Sequence, residues 1–206
     1  GGAKTASGTI TVNITAVNDD PVAVSDSISV AEGDTATQLV GGATSVLAND
    51  SDAENNPLTA ILVTGPTNGS LTLNPNGTFS YVHNGSETTT DSYTYKVNDG
   101  TLDGNIVTVN INVTPQNDAP VANADSLTVT EDTPATFTAA QLTGNDTDAE
   151  GTLLTINSVT SGANGTAVLN ANGTVTFTPN TNYSGPADFT YTVTDGQLTS
   201  NAASVT

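Results

Sequence analysis

Residues 91–100 read Asp91-Ser92-Tyr93-Thr94-Tyr95-Lys96-Val97-Asn98-Asp99-Gly100. Tyr93, Tyr95 and Val97 stand two apart with polar residues between them. That is the period of a strand with one buried face, and Asp99-Gly100 supplies a turn at its end. The alternation recurs in Val107, Val109, Ile111 and Val113, and in Phe79-Ser80-Tyr81. No stretch holds an apolar stripe of helical period through three turns. Patterning of this kind separates the chain from a disordered polymer of similar low hydrophobicity. It predicts an all-β protein.

The chain also matches itself. Asn18-Asp19-Asp20-Pro21-Val22-Ala23 returns 99 residues later as Asn117-Asp118-Ala119-Pro120-Val121-Ala122. Asn49-Asp50-Ser51-Asp52-Ala53-Glu54 returns 96 residues later as Asn145-Asp146-Thr147-Asp148-Ala149-Glu150, and Asp99-Gly100 returns at the same offset as Asp195-Gly196. A period this long fits one small domain per repeat rather than a solenoid unit. The expected division is 18–117 for repeat 1 and 118–206 for repeat 2. Residues 1–17 align with the strand at 106–116 and read as the last strand of a preceding repeat, while repeat 2 stops halfway through its own last strand. The stray strand and the vacant edge are complementary, and a neighbouring molecule could bring them together. Repeat 1 is expected to carry strands near 22–31, 37–48, 58–64, 70–73, 78–82, 92–98 and 105–114, separated by Gly, Pro and Asn-Gly turns. Seven strands in about 100 residues point to a β-sandwich, its aromatics filling the core.

Among its 206 residues the chain has 21 acidic side chains and 2 basic ones, a formal net charge of −19. Nucleic-acid binding through a basic patch is excluded, and an anionic membrane surface would repel the chain. No apolar run approaches a membrane span, and no basic-then-apolar leader opens the chain, which reads as a piece of something longer. Without Cys, and with a single His, thiol chemistry and most transition-metal schemes lack raw material.

The acids fall at strand ends. If successive strands alternate in direction, Asp50, Asp52, Glu54 and Asp99 gather at one end of repeat 1 beside the linker Asn18-Asp19-Asp20. Glu32, Asp34, Glu87 and Asp91 gather at the other. Stacking a second domain beneath sets Asp146, Asp148, Glu150 and Asp195 against Glu32, Glu87, Asp91, Asn117 and Asp118. So many carboxylates at one joint repel unless a cation lies between them. Oxygen-only donors select a hard cation, and calcium accepts about 6–8 of them in loose geometry. An EF-hand is not expected, because Asn157 stands where the closing Glu of the loop belongs and strands flank the loop. His83, near Ser86 and Glu87, reads as a surface-loop histidine, since the other repeat lacks it. Lys96 reads as an outward, solvated lysine. No credible nucleophile–base set is present, so no enzyme is expected.

The linker Asn-Asp-x-Pro-Val-Ala, the Glu after the first strand, Asn-Asp-x-Asp-x-Glu, Asn-Gly-Thr before an aromatic strand and the stretch at 91–100 resemble tandem cadherin-like repeats. Such repeats form the extender regions of giant bacterial surface adhesins, often RTX proteins. The resemblance implies two Greek-key, cadherin- or Ig-like β-sandwiches in a linear rod, with calcium between successive domains. Carried over, the ligands of the inner joint are Glu32, Asn117, Asp118, Asp146, Asp148 and Asp195, with Glu87 and Asp91 beside them. Those of the upstream joint are Asn18, Asp19, Asp50, Asp52 and Asp99, with Asp20 beside them. The implied function is a calcium-stiffened spacer of an extracellular or secreted adhesin serving cell adhesion or biofilm formation. Its partners would be neighbouring repeats of the same chain, with surface proteins or glycans engaged through other domains. The competing expectation is a carbohydrate- or protein-binding module of a secreted protein, which would need an exposed aromatic platform.

Overall fold

The alternation read at 91–100 is realised in a computed structural model describing residues 1–5 and 7–206, with Tyr93, Tyr95 and Val97 buried and Thr94 and Lys96 facing outward. The chain divides into two units, Gly1–Thr114 and Pro115–Thr206. Unit 1 holds β1 (Asp26–Ala31), β2 (Thr35–Ala36), β3 (Thr59–Thr64), β4 (Gly69–Leu73), β5 (Phe79–His83), β6 (Thr90–Asn98) and β7 (Asp103–Thr114). One sheet has the order β1-β7-β6-β3 and the other β2-β5-β4. β1 and β7 run parallel, as the alternation of strand directions requires of the first and last strands. The inner faces of both sheets supply one core, from Ile28 and Val30 through Phe79 and Tyr81 to Tyr93, Tyr95, Val109 and Ile111.

Unit 2 repeats the plan with β8 (Ala135–Phe137), the short helix α1 (Ala139–Leu142), β9 (Thr155–Ser161), β10 (Gly165–Leu169), β11 (Val175–Pro179), β12 (Phe189–Thr194) and β13 (Ala203–Val205). Its sheets are β13-β12-β9 and β10-β11-β8 around a core of Val175, Phe177, Phe189, Tyr191 and Val193.

Two expectations are corrected here. The stretch 37–48 is not a strand: β2 ends at Ala36, Gly41 and Gly42 take positive φ, and a 3-10 turn over Val46–Asn49 follows, capped by Ser45 Oγ accepting the Leu47 amide at 3.2 Å. Leu39 and Val46 still reach the core, so the apolar pattern that suggested a strand marks two anchors of an irregular loop. A Cβ on Gly77, at φ 80°, would collide with Ser45 Oγ and Leu47, so the hairpin turn at Asn76-Gly77 and this loop fit only with glycine there.

The second correction is His83. It closes β5 on the inward side and is 2% exposed, not a surface-loop residue. Its Nδ1 accepts the Gly33 amide at 3.2 Å and the Gly85 amide at 3.3 Å, and its Nε2 lies 3.1 Å from Thr88 Oγ1. The ring ties the β1–β2 turn to the loop after β5. Lys96 faces outward as expected and pairs with Asp103. The described residues of 1–17 belong to no strand, and those from 7 to 17 are exposed; residue 6 of that stretch lies outside the described residues.

Candidate metal centre

The linker end of each unit is built from the same parts. In unit 1 the loop at 50–56 follows the 3-10 turn, the loop at 99–102 joins β6 to β7, and Asn18 reaches both. Its side-chain amide donates to Asp99 Oδ2 at 2.6 Å and to Thr101 Oγ1 at 3.1 Å, and its Oδ1 accepts from Asn56 Nδ2 at 2.9 Å. The Asp19 amide donates to Glu54 Oε2 at 3.2 Å. In unit 2, Asn117 Nδ2 donates to Asp195 Oδ2 at 2.7 Å, and the Asp118 amide to Glu150 Oε1 at 2.8 Å. The structure thus gathers Asn18, Asp19, Asp52 and Asp99 in one unit, and Asn117, Asp118, Asp148 and Asp195 in the other.

Within these clusters one atom stands out twice. Asp52 Oδ1 accepts the amides of Glu54 at 3.1 Å and Asn56 at 2.7 Å, and Asp148 Oδ1 accepts the Thr152 amide at 2.8 Å. The second oxygen, Oδ2, of each aspartate is buried and takes no hydrogen bond. A buried carboxylate oxygen without a partner costs about 1–3 kcal/mol or more. Its recurrence at equivalent places in the two units points to a missing positive partner. The donors around it are carboxylates and Asn carbonyls, with no imidazole or thiolate, so they fit calcium.

Two carboxylates of these clusters, Asp99 and Asp195, have their acid strength raised by hydrogen bonds. Asp99 is held well below the usual carboxylate range by the Leu102 amide, the Asn18 side chain and the Thr101 amide. Asp195 is lowered in the same way by the Asn117 side chain and then the amides of Gln197 and Leu198.

Asp50 and Asp146 turn toward the protein interior. Asp50 Oδ1 accepts the Val24 amide at 2.7 Å, and Asp146 Oδ1 the Asn123 amide at 2.7 Å. The Tyr95 hydroxyl lies 3.0 Å from Asp50 Oδ2, 3.2 Å from Asp26 Oδ2 and 3.0 Å from the Val46 carbonyl. The Tyr191 hydroxyl repeats this with Asp146 Oδ1 at 3.1 Å, Asp125 Oδ2 at 3.0 Å and the Leu142 carbonyl at 2.7 Å. Burial, with the charge of Asp50 adding to it against the Tyr95 and Asn49 hydrogen bonds, pushes Asp26 up to about 6. Burial also raises Asp50 and Asp125.

At the opposite end of unit 1, Glu32 and Glu87 bring carboxylate oxygens within 4.8 Å of each other. Asp91 is engaged elsewhere: its oxygens accept the Thr67 amide at 3.0 Å, the Asn68 amide at 2.9 Å and the Tyr81 hydroxyl at 2.9 Å, closing the turn between β3 and β4. Asp20 is exposed.

Sequence reasoning missed the two tyrosine hydroxyls, which it assigned only to the core. The signal was present, because Tyr95 and Tyr191 share the 96-residue offset and Asp26 and Asp125 the 99-residue one. Asn56 was also missed, and nothing in its spacing marks it as the partner of Asn18. Among the described residues no exposed aromatic platform exists: Tyr183 is half-buried with its hydroxyl on the Pro186 carbonyl at 2.9 Å, and the other aromatics are buried.

No curated protein matches the chain. Residues 18–115 match the bacterial cadherin-like domain, and residues 116–206 the cadherin-like domain. Among solved structures, repeats 22–24 of mouse cadherin-23 align with a TM-score of 0.51 at 21% identity, covering 90% of this chain and 63% of that one. The human mucin-like protocadherin repeats 1–2 align with a TM-score of 0.47 at 13% identity, covering 90% and 95%. An endo-fucoidan hydrolase of glycoside hydrolase family 107 aligns with a TM-score of 0.35 at 20% identity; the chain covers 28% of its length. At its 21% identity the likeness to cadherin-23 speaks to fold alone. Cadherin-like domains are extracellular-type modules and typically non-enzymatic, and among the described residues no helix is long and apolar enough to cross a membrane. The chain belongs to the cadherin-like domain family, with two such domains in tandem over residues 18–206 and the first of them of the bacterial type.

Proposed function

We propose that the chain is a calcium-stiffened spacer from a bacterial surface adhesin of the RTX type, holding an adhesive region away from the cell in attachment or biofilm formation. The observation that carries this reading is the buried, partnerless Oδ2 of Asp52 and of Asp148, one in each unit. Asn117, Asp118, Asp148 and Asp195 would hold calcium at the linker end of unit 2, and Asn18, Asp19, Asp52 and Asp99 at that of unit 1, whereas Asp50 and Asp146, turned inward onto backbone amides and tyrosine hydroxyls, would not. Glu32 and Glu87, at the far end of unit 1, would offer ligands toward a following repeat. Calcium supplies positive charge shared between carboxylates that otherwise repel. The chain's own residues supply preorganisation: Asn18 and Asn117 pin the linker to the Asp99 and Asp195 loops, so little order remains to be imposed on binding.

The linkage has a definite sign. A ligand bound only by the folded state stabilises it by RT ln(1 + [L]/Kd), about 2.7 kcal/mol at a hundredfold excess over Kd. Calcium titration of the 206-residue chain by calorimetry, with small-angle scattering in calcium and in chelator, tests the proposal. Saturable binding with a narrower distribution of interdomain angles is expected. Absence of binding heat together with identical scattering profiles would refute it.

A further inference from the structure

Asparagine precedes glycine at Asn68-Gly69, Asn76-Gly77, Asn84-Gly85, Asn164-Gly165 and Asn172-Gly173. At such a pair the backbone can attack its own side chain, because no Cβ on the glycine hinders its nitrogen from closing a cyclic imide on the asparagine Cγ. The amide proton must leave and the side-chain carbonyl must take up negative charge. A base on the first and a hydrogen-bond donor on the second therefore speed the step. The fold equips these pairs unequally.

At Asn84 both needs are met. The Gly85 amide donates to His83 Nδ1 at 3.3 Å, and Asn84 Oδ1 accepts the Ser86 amide at 3.1 Å. Nδ1 also accepts the Gly33 amide at 3.2 Å, so it carries no proton; the ring hydrogen sits on Nε2 and is given to Thr88 Oγ1 at 3.1 Å. The imidazole is thus a base held in place by burial, with its opposite nitrogen supported. Gly85 has φ 75°, and both it and Asn84 are exposed, so water reaches the pair. Asn76 and Asn172 have the polarised carbonyl without the base. Their Oδ1 atoms accept the Thr78 and Thr174 amides at 3.1 Å and 3.2 Å, but the Gly77 and Gly173 amides donate to the carbonyls of Asn74 and Asn170. Asn68 and Asn164 have their side-chain amides tied to the Thr90 and Pro186 carbonyls, and Gly69 and Gly165 begin β4 and β10. Where unit 1 has His83-Asn84-Gly85, unit 2 has Pro179-Asn180-Thr181.

We propose that Asn84 is a self-modification site, converted to aspartate and isoaspartate with His83 as the base. The Gly85 nitrogen bonds to Asn84 Cγ and passes its proton to His83 Nδ1. The Cγ–Nδ2 bond then breaks, and the imidazolium returns the proton to the departing nitrogen, which leaves as ammonia. Water, the co-reactant, opens the imide at either carbonyl, giving aspartate or isoaspartate. Both products put a new carboxylate in the loop that carries Glu87. Isoaspartate also lengthens the backbone leaving β5 by one carbon. Unit 1 would therefore gain charge at this end as the protein ages, while the equivalent loop of unit 2 holds no such pair.

The test is peptide mapping by mass spectrometry of the whole 206-residue chain aged at neutral pH, with chromatography separating aspartate from isoaspartate. In the folded chain Asn84 should convert about tenfold or more faster than Asn76 and Asn172, a modest share of the roughly 10²–10⁴-fold that a positioned base supplies. In urea the asparagines differ little in local sequence, and their rates should converge. His83→Gln keeps an acceptor for the two amides but no base. It should slow Asn84 about tenfold and leave Asn76 and Asn172 unchanged. If the histidine were only a brace, the same variant would speed Asn84, because a loosened loop reaches the attacking geometry more often. The ranking in the native chain and its loss in urea decide the matter even where His83→Gln fails to fold. Asn84 ageing no faster than Asn76 and Asn172 in the folded chain, or a folded His83→Gln variant in which Asn84 converts as fast or faster, would overturn the inference.

Discussion

Replacing Asp148 by Asn leaves the shape of the loop intact and removes one charge. In the native loop Asp148 Oδ1 accepts the Thr152 amide at 2.8 Å, a bond the Asn carbonyl keeps, while the buried Oδ2 without a partner becomes an uncharged amide. Without calcium the variant therefore exchanges one unsatisfied buried group for a less costly one, and its stability should stay within about 1 kcal/mol of native or exceed it. With calcium the order reverses. At a hundredfold excess over Kd the native unit gains about 2.7 kcal/mol, most of which the variant forfeits with its anionic ligand. For a domain of this size 1 kcal/mol moves the Tm by roughly 4–8 °C, so a gap of about 10–20 °C should open in calcium and close in chelator. Scanning calorimetry of the whole chain, following the transition of unit 2, reads both numbers, and Asp52→Asn makes the same measurement in unit 1. If Asp148→Asn destabilises unit 2 equally in calcium and in chelator, the carboxylate is only a loop brace, and the reasoning from its partnerless oxygen is wrong.

Tyr191→Phe removes the one proton that faces Asp125, Asp146 and the Leu142 carbonyl, and hydrogen bonds to charged groups contribute about 1.5–3 kcal/mol. Thermal denaturation in chelator should show a loss of roughly 10 °C in the Tm of unit 2; a change within experimental error would mean the hydroxyl contributes nothing. Asp91→Asn should cost about 1–3 kcal/mol at neutral pH, because both carboxylate oxygens hold the turn between β3 and β4. Burial would raise the Asp91 carboxyl, but the amides of Thr67, Ser92 and Asn68 with the Tyr81 hydroxyl together hold it below its ordinary value. A depressed acid stabilises the fold above the unfolded value, about 3.9, and loses that contribution as pH falls through the folded one. The gap between native and variant should therefore narrow toward acid in denaturant titrations made at a series of pH values, and a gap independent of pH would contradict the assignment.

Much of the architecture was legible in the chain itself. The two-residue period at 93–97 and 107–113 dictated half-buried strands, and the offsets of 99 and 96 residues dictated two copies of one domain. Both signals are local or self-referential: side chains alternate across any strand, and a repeated sequence repeats its fold. The chemistry of the site was legible for a similar reason, since a chain rich in Asp, Glu and Asn and poor in every other ligand offers only hard oxygen donors.

Which oxygens remain available was decided by tertiary contacts. Asp50 and Asp52 are two residues apart, yet Asp50 is turned inward to the Val24 amide and the Tyr95 hydroxyl while Asp52 is left with a partnerless oxygen. Tyr95 lies 45 residues from Asp50, and Tyr191 lies 45 from Asp146, separations over which no pattern of spacing reports a hydrogen bond. His83 shows the same limit: the residues that follow it, Asn84, Gly85 and Ser86, are those of a loop, but the strand that ends on it aims its ring into the core. The stretch 37–48 shows it in the backbone, where Leu39 and Val46 are buried as a strand would bury them while Gly41 and Gly42 carry the chain through a loop. Sequence fixes which side chains alternate and which atoms can bind a cation. Only the folded chain, by bringing distant donors to some carboxylates and not others, settles which oxygens are left without a hydrogen-bond partner.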